Sequence, residues 1–150
     1  MKKTLALTAI LAAATHWATG TEYVVAPTGN DLAAGTPAAP WQTLQHAADV
    51  VTAGDQVTVR SGNYTGFYLG TSGTAAAPIE FLGEPGARII QRNATTPDGI
   101  NLESASYVTI DGFAVSGMPR AGVRAVGDSD QPARFVTVRI TPGKRAATSR

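Results

Sequence analysis

One short pattern recurs along this chain and limits what it can fold into. An apolar, a polar and a second apolar residue come together as Val57-Thr58-Val59, Ile79-Glu80-Phe81, Val108-Thr109-Ile110 and Val136-Thr137-Val138, with first positions 22, 29 and 28 residues apart. A second register agrees, because Gly99-Ile100 and Gly122-Val123 lie 23 residues apart. Alternation with period two marks a strand with one buried face. Repeats of this length, with glycine-marked turns rather than helices between the strands, predict coils that stack into a parallel β-solenoid. An antiparallel sandwich would need shorter hairpin spacings and two-residue turns, and Asn-Gly does not occur.

Stacking assigns a place to each residue of the pattern. Val57, Ile79, Val108 and Val136 are expected to form one buried ladder, and Val59, Phe81, Ile110 and Val138 a second. Thr58, Glu80, Thr109 and Thr137 then face outward. Gly62, Gly83, Gly86, Gly112 and Gly117 are expected at the corners, where the chain must turn tightly.

The segment before the repeats reads differently. A strand over Glu22–Ala26 leads into PTGNDLAAGTPAAP, whose Pro, Gly and Asn-Asp exclude a regular element. In WQTLQHAADVVTAG, Trp41, Leu44, Ala47, Ala48 and Val51 recur at helical spacing, with Gly54 expected at the C-cap. His46, the only His after the leader, has no adjacent acid pair and reads as a surface residue.

Composition supports one small, turn-rich domain. Of 150 residues, 43% are hydrophobic and 15% charged, which suits a folded core, and 16 Gly with 9 Pro suit many turns. The lack of Cys excludes disulfides and thiolate metal sites. MKK, the apolar run Leu5–Ala14 and Ala18-Thr19-Gly20 have the order of an export signal, with cleavage expected after Gly20. The run is about half the roughly 20 residues needed to span a bilayer, so a secreted or periplasmic protein with no membrane anchor is expected.

The charge is uneven. Residues 21–130 hold five arginines against all eleven acids, whereas residues 131–150 hold five bases and no acid. A pI of 8.1 describes neither part and gives no reason to expect a nucleic-acid partner. After Val138 the corner glycine and the next inward apolar residue are both missing, and TPGKRAATSR shows no alternation. Three regions are therefore expected: a signal peptide (1–20), the cap and first coils (21–139), and a basic, disordered tail (140–150). The chain reads as cut short, with self-association through the open C-terminal end.

The segments PTGND, AAPWQTLQHAADVVTAGDQVTVRSGNYTG and YVTIDGFAVSG together resemble the N-terminal region of secreted right-handed parallel β-helix proteins of the pectin-lyase-like superfamily, some of them polysaccharide lyases. The resemblance implies an all-β, right-handed parallel β-helix of about four coils, closed at its N-terminal end by the amphipathic helix. It leaves activity open, since the superfamily holds lyases, hydrolases, epimerases, adhesins and phage tailspikes.

A lyase of this type needs a base, usually Lys or Arg, and often Ca²⁺ on carboxylate oxygens to neutralise the uronate. No Lys follows the leader before Lys144. Arg120 and Arg124 are the candidate bases, and Asp98, Glu103, Asp111, Asp128 and Asp130 the candidate ligands. None stands in a motif, and Asp111 sits in an ordinary Asp-Gly turn. The resemblance places catalytic residues on central coils beyond this chain, so no catalytic, cofactor-binding or metal residue is assigned; calcium is expected only in a full-length relative. Two sequons, at Asn63 and Asn93, read as coincidences in a bacterial-looking protein. The expected function is that of the N-terminal part of a polysaccharide-lyase-like protein, inactive alone. The alternative is a glycan-binding or surface-structural module that meets a polysaccharide through its outward Thr ladder.

Overall fold

A computed structural model describes residues 20–127, 130 and 132–141. Its elements run β1 (Glu22–Val25), α1 (Leu44–Val50), β2 (Gln56–Val59), β3 (Gly62–Thr65), β4 (Phe67–Leu69), β5 (Ile79–Gly83), β6 (Ala87–Gln91), β7 (Asp98–Glu103), β8 (Val108–Val115), β9 (Ala121–Val126) and β10 (Val136–Ile140). Each of these strands pairs in parallel with the strand one turn away. One face stacks β1, β2, β5, β8 and β10; a second stacks β3, β6 and the later part of β8; a third stacks β4, β7 and β9. The result is a β-solenoid of three complete turns, with β10 opening another, where the sequence pattern suggested about four.

The ladders form, with one shift of register. Ile79, Val108 and Val136 align as expected, as do Phe81, Ile110 and Val138. Between the first two turns, however, Val57 lies beside Phe81 and Val59 beside Gly83. The slip is two residues. An even slip preserves which side chains point inward, so both valines stay fully buried although their neighbours differ from those expected. Phe67 and Phe81 stack across the interior with ring centroids 4.7 Å apart. Each fully buried aliphatic or aromatic side chain contributes roughly 1.5–3 kcal/mol relative to exposure.

Close approach of the coils explains two sets of glycines. Gly66, Gly99 and Gly122 stack one above another at the entrance to the third face, and a Cβ on Gly66 or Gly99 would lie 1.8 or 2.6 Å from the carbonyl oxygen of the next turn. Gly112, at φ 82°, turns over Gly83, where a Cβ would meet the Gly83 carbonyl at 2.1 Å. Gly83 itself ends β5 with no positive φ; its small size serves contact between turns, not the corner expected of it.

The cap is smaller than its sequence pattern. The helix occupies seven residues, Thr43 is its N-cap, and its C-cap is Val51 in extended conformation. Gly54 is not the cap. At φ 94° it belongs to the following turn, closed by a hydrogen bond from the Asp55 N–H to the Thr52 carbonyl. Trp41 precedes the helix, bridges Val25, stacks on Tyr23 at 4.3 Å and donates its indole N–H to the Ala33 carbonyl. With Leu44, Ala47, Ala48 and Val51 it is buried in the core cluster at the N-terminal end. His46 is half-buried, its ring edge-on to Trp41 at 4.8 Å, rather than a plain surface residue.

At the other end, β10 corrects a sequence expectation. Arg139 lies opposite Asp111, and a register shift that passes Gly112 brings Ile140 opposite Phe113. The apolar residue that seemed lost is thus supplied one position early. The Thr141 N–H continues the pairing by donating to the Phe113 carbonyl. The signal segment through residue 19 and tail residues 142–150 lie outside the described residues. Ile140 and Thr141, assigned to the tail by composition, belong to this pairing.

Candidate functional site

The charged candidates separate onto different faces. Asp98 opens β7 at a corner and is fully buried, while Arg120 reaches it from the next turn through two hydrogen bonds of 2.8 and 2.5 Å. Thr96 Oγ1 donates to the same carboxylate. These bonds from Arg120, against the opposing effect of burial and with help from Thr96 and the charges of Arg120 and Arg124, lower the Asp98 pKa to about 2. In return, the hydrogen bonds to Asp98 raise the proton affinity of Arg120 above the ordinary guanidinium value. A guanidinium fixed in this way is unsuited to act as a base.

The other candidates do not converge on that pair. Arg124 lies on β9 opposite Asn101, and Glu103, at the end of β7, accepts from the Asn101 amide at 3.2 Å. Asp111 sits on the first face, bonded at 3.0 Å to Arg139. Asp130 is described on a bend, and Asp128 lies outside the described residues. Among the described residues, no three of His, Asp and Glu gather as a cation site would require. Asp98 is bound to Arg120 and Asp111 to Arg139 on another face, so these two do not share a cation site.

Several polar residues matter that sequence reasoning passed over. Asn93 is fully buried; its Oδ1 accepts the N–H groups of Thr95 and Thr96, and its amide donates to Thr96 Oγ1 and the Asp98 carbonyl. It shapes the turn before β7, so its sequon holds a structural amide. Asn63, by contrast, is exposed on β3. Asn101 is fully buried between Tyr68 and Arg124 of neighbouring turns, and its Oδ1 has no hydrogen-bond partner among the described residues. An Asn within the apolar run Gly99–Leu102 was the available signal. Asp55, also buried, is satisfied by the N–H groups of Thr21 and Thr52 and the Thr52 hydroxyl.

Near the cap, a cleft of about 390 Å³ is lined by Pro27, Gln42, Thr43, Leu44, Gln45 and, across from them, residues 63–66 of β3 and its end. Hydrogen bonds tie its walls to the neighbouring elements. Gln45 bridges the helix to β4 by accepting the Tyr68 N–H and donating to the Tyr68 carbonyl, and Thr65 Oγ1 donates to Gln91. Asp31 accepts the N–H groups of Gln42 and Thr43 and the Thr43 hydroxyl. Partial burial works against its charge, but the bonds from Thr43 and Gln42 outweigh it and hold the carboxyl below its usual range. The Tyr64 hydroxyl donates to the Arg60 carbonyl; burial and then the charge of Glu84 push its pKa up to about 12, so it is neutral.

Comparison with known proteins places this scaffold. Over 69 residues the chain is 42% identical to "Pectate lyase PEL9" of Emericella nidulans, a match that covers 44% of this chain and 17% of that protein. The chain therefore spans under a fifth of the length of that relative. A rhamnogalacturonan lyase structure superposes with a TM-score of 0.53 at 26% identity, covering 64% of this chain and 28% of the other. The GH136 lacto-N-biosidase of Eubacterium ramulus superposes with a TM-score of 0.67 at 18% identity, covering 79% and 26% respectively, and shares the fold alone. The Pel9A-like right-handed beta helix region matches residues 23–142, which assigns the right-handed sense to the solenoid. With three turns of parallel strands and this match over most of its length, the chain belongs to the family of Pel9A-like right-handed β-helix regions.

Proposed function

We propose that this chain is the capped N-terminal portion of a secreted, pectate-lyase-like protein, and that by itself it does not cleave polysaccharide. The observation that carries the reading is the Asp98–Arg120 pair: one of the two candidate bases is held protonated, and the fully buried carboxylate is already paired with it. β-Elimination from a uronate requires a free base beside the C5 proton and a positive charge at the sugar carboxylate. The charged pairs join one turn to the next and serve the stack.

The decisive measurement is incubation of the chain, with its leader removed, with polygalacturonate in calcium-containing buffer. No 4,5-unsaturated product is expected. Robust product formation would overturn the assignment of these turns as scaffold. Retained affinity without turnover would favour the binding module, a reading supported by the polar outward column Gln56, Glu80, Thr109 and Thr137 along the first face. Export is tested by N-terminal sequencing of the protein from culture medium or periplasm, expected to begin at Thr21. Self-association is tested by sedimentation: among the described residues β10 pairs with β8 alone, and a monomer at all concentrations would count against pairing through its other edge.

A further inference from the structure

We infer that the cleft between the cap helix and the first turn is a subsite for a neutral sugar unit, separate from any surface that takes an acidic polymer. The inference rests on the carbohydrate-binding reading above and assigns a ligand class that this reading does not contain. Three observations carry it: the chemistry of the lining, the hydrogen bonds that hold its walls, and the absence of Lys and Arg from the lining among the described residues.

The lining combines apolar residues with uncharged polar ones. Its apolar surface comes chiefly from the exposed Pro27, beside Gly66 and the almost fully buried Leu44 and Tyr64, and the polar groups are amides and hydroxyls from Gln42, Thr43, Gln45, Asn63 and Thr65. This is the balance a pyranose needs, with C–H faces on apolar surface and hydroxyls to groups that both donate and accept. A volume of about 390 Å³ lies within the usual range of small-molecule sites.

Most polar groups of the walls are already committed, and two remain for a ligand. Gln45 is clamped between Asp49 and the Tyr68 backbone, Thr43 Oγ1 donates to Asp31 and accepts the His46 N–H, and Thr65 is bonded to Gln91. The side-chain amides of Gln42 and Asn63 make no hydrogen bond to the described residues. One stands on each wall, and each offers a donor pair and an acceptor. Walls held in place in this way lower the ordering cost of binding.

Charge selects against an acidic sugar. Among the described residues no Lys or Arg lines the cleft, and the carboxylate of Asp31 is bonded to Gln42 and Thr43 on its wall. A uronate placed here would lose water around its carboxylate with no cation to replace it. A neutral hexose or pentose carries no such penalty.

Calorimetric titration of the chain, with its leader removed, tests the inference with neutral galacto-, gluco- and arabino-tetrasaccharides and with tetragalacturonate. At least one neutral tetrasaccharide is expected to bind, and the double variant Gln42→Ala/Asn63→Ala to weaken it by at least about tenfold. Both side chains are exposed, so an unchanged melting curve is expected to confirm that the variant folds. Asn63→Asp should weaken neutral binding and leave any tetragalacturonate binding elsewhere unaltered. Binding of no neutral probe, neutral binding indifferent to the double variant, or tetragalacturonate binding that the double variant abolishes would each overturn the inference. Lyase turnover of polygalacturonate bears on the proposed function instead, and leaves the cleft assignment standing.

Discussion

Val-Thr-Val occurs twice, at 57–59 in β2 and at 136–138 in β10, and the two copies have different surroundings. In β2 both valines are fully buried, with β1 on one side and β5 on the other. In β10 the second valine is 39% exposed and Ile140 37%, because among the described residues only β8 lies beside them. The local sequence is identical, so the difference in burial comes from what stacks on each rung. Stability in such a stack is close to a sum over neighbouring turns, and the first turns, closed by the cap, should carry more of it than β10.

That comparison breaks most sharply where burial is complete. Leu44→Ala in the cap and Ile110→Ala in β8 each remove a fully buried side chain, and each is expected to cost about 2–5 kcal/mol in chemical denaturation. If Leu44→Ala melts like the parent, the helix does not seal the stack.

A smaller loss is expected from Asp98→Asn, which breaks the pair joining the second turn to the third. Its sign follows from the carboxyl, whose pKa falls from an ordinary 3.8 to about 2 in the fold. The stabilisation is present above the ordinary value and is lost as pH drops from about 4 towards 2. Thermal melts across that window should show the parent losing stability and the Asn variant following a flatter curve. Parallel curves would mean that the pair contributes nothing to folding.

Ile140→Ala sharpens the comparison from the other end. It is the same chemical change as Ile110→Ala in the next turn but at an exposed position, with an expected cost of about 1 kcal/mol or less. A loss equal to that of Ile110→Ala would mean that β10 is covered in solution. His46→Ala is expected to have the smallest effect, about 0.5 kcal/mol from the edge contact with Trp41, and is read by the same denaturation curves.

The expected outward residues of the triplets do face outward. The two-residue slip between β2 and β5 was not legible, because alternation specifies only the parity of a register and both registers bury the same side chains. The length of α1 was overread: helical spacing at Trp41 and Val51 also suits an extended residue bridging Val25 and a C-cap that packs on the core. Of the candidate site, Arg120 and Asp98 were legible as charged residues but not as partners, being 22 positions apart in sequence. The cleft at the cap was not legible, since Gln42 and Asn63 come together only when the helix folds back over the first turn.

Period-two alternation recurring at a spacing of 22 to 29 residues, together with glycine-marked turns in place of two-residue hairpins, pointed to parallel stacking, because a coil of that length brings successive triplets side by side. Glycine placement followed from the same repeats, although Gly83 proved to serve contact and Gly54 a later turn. Tertiary structure alone decided which residues meet across turns: the Asp98–Arg120 bonds, Ile140 beside Phe113 and the buried Asn101 between Tyr68 and Arg124. These contacts join residues 22 to 33 positions apart, as the paired numbers show. Their geometry depends on the length and path of each intervening turn, which local pattern does not encode.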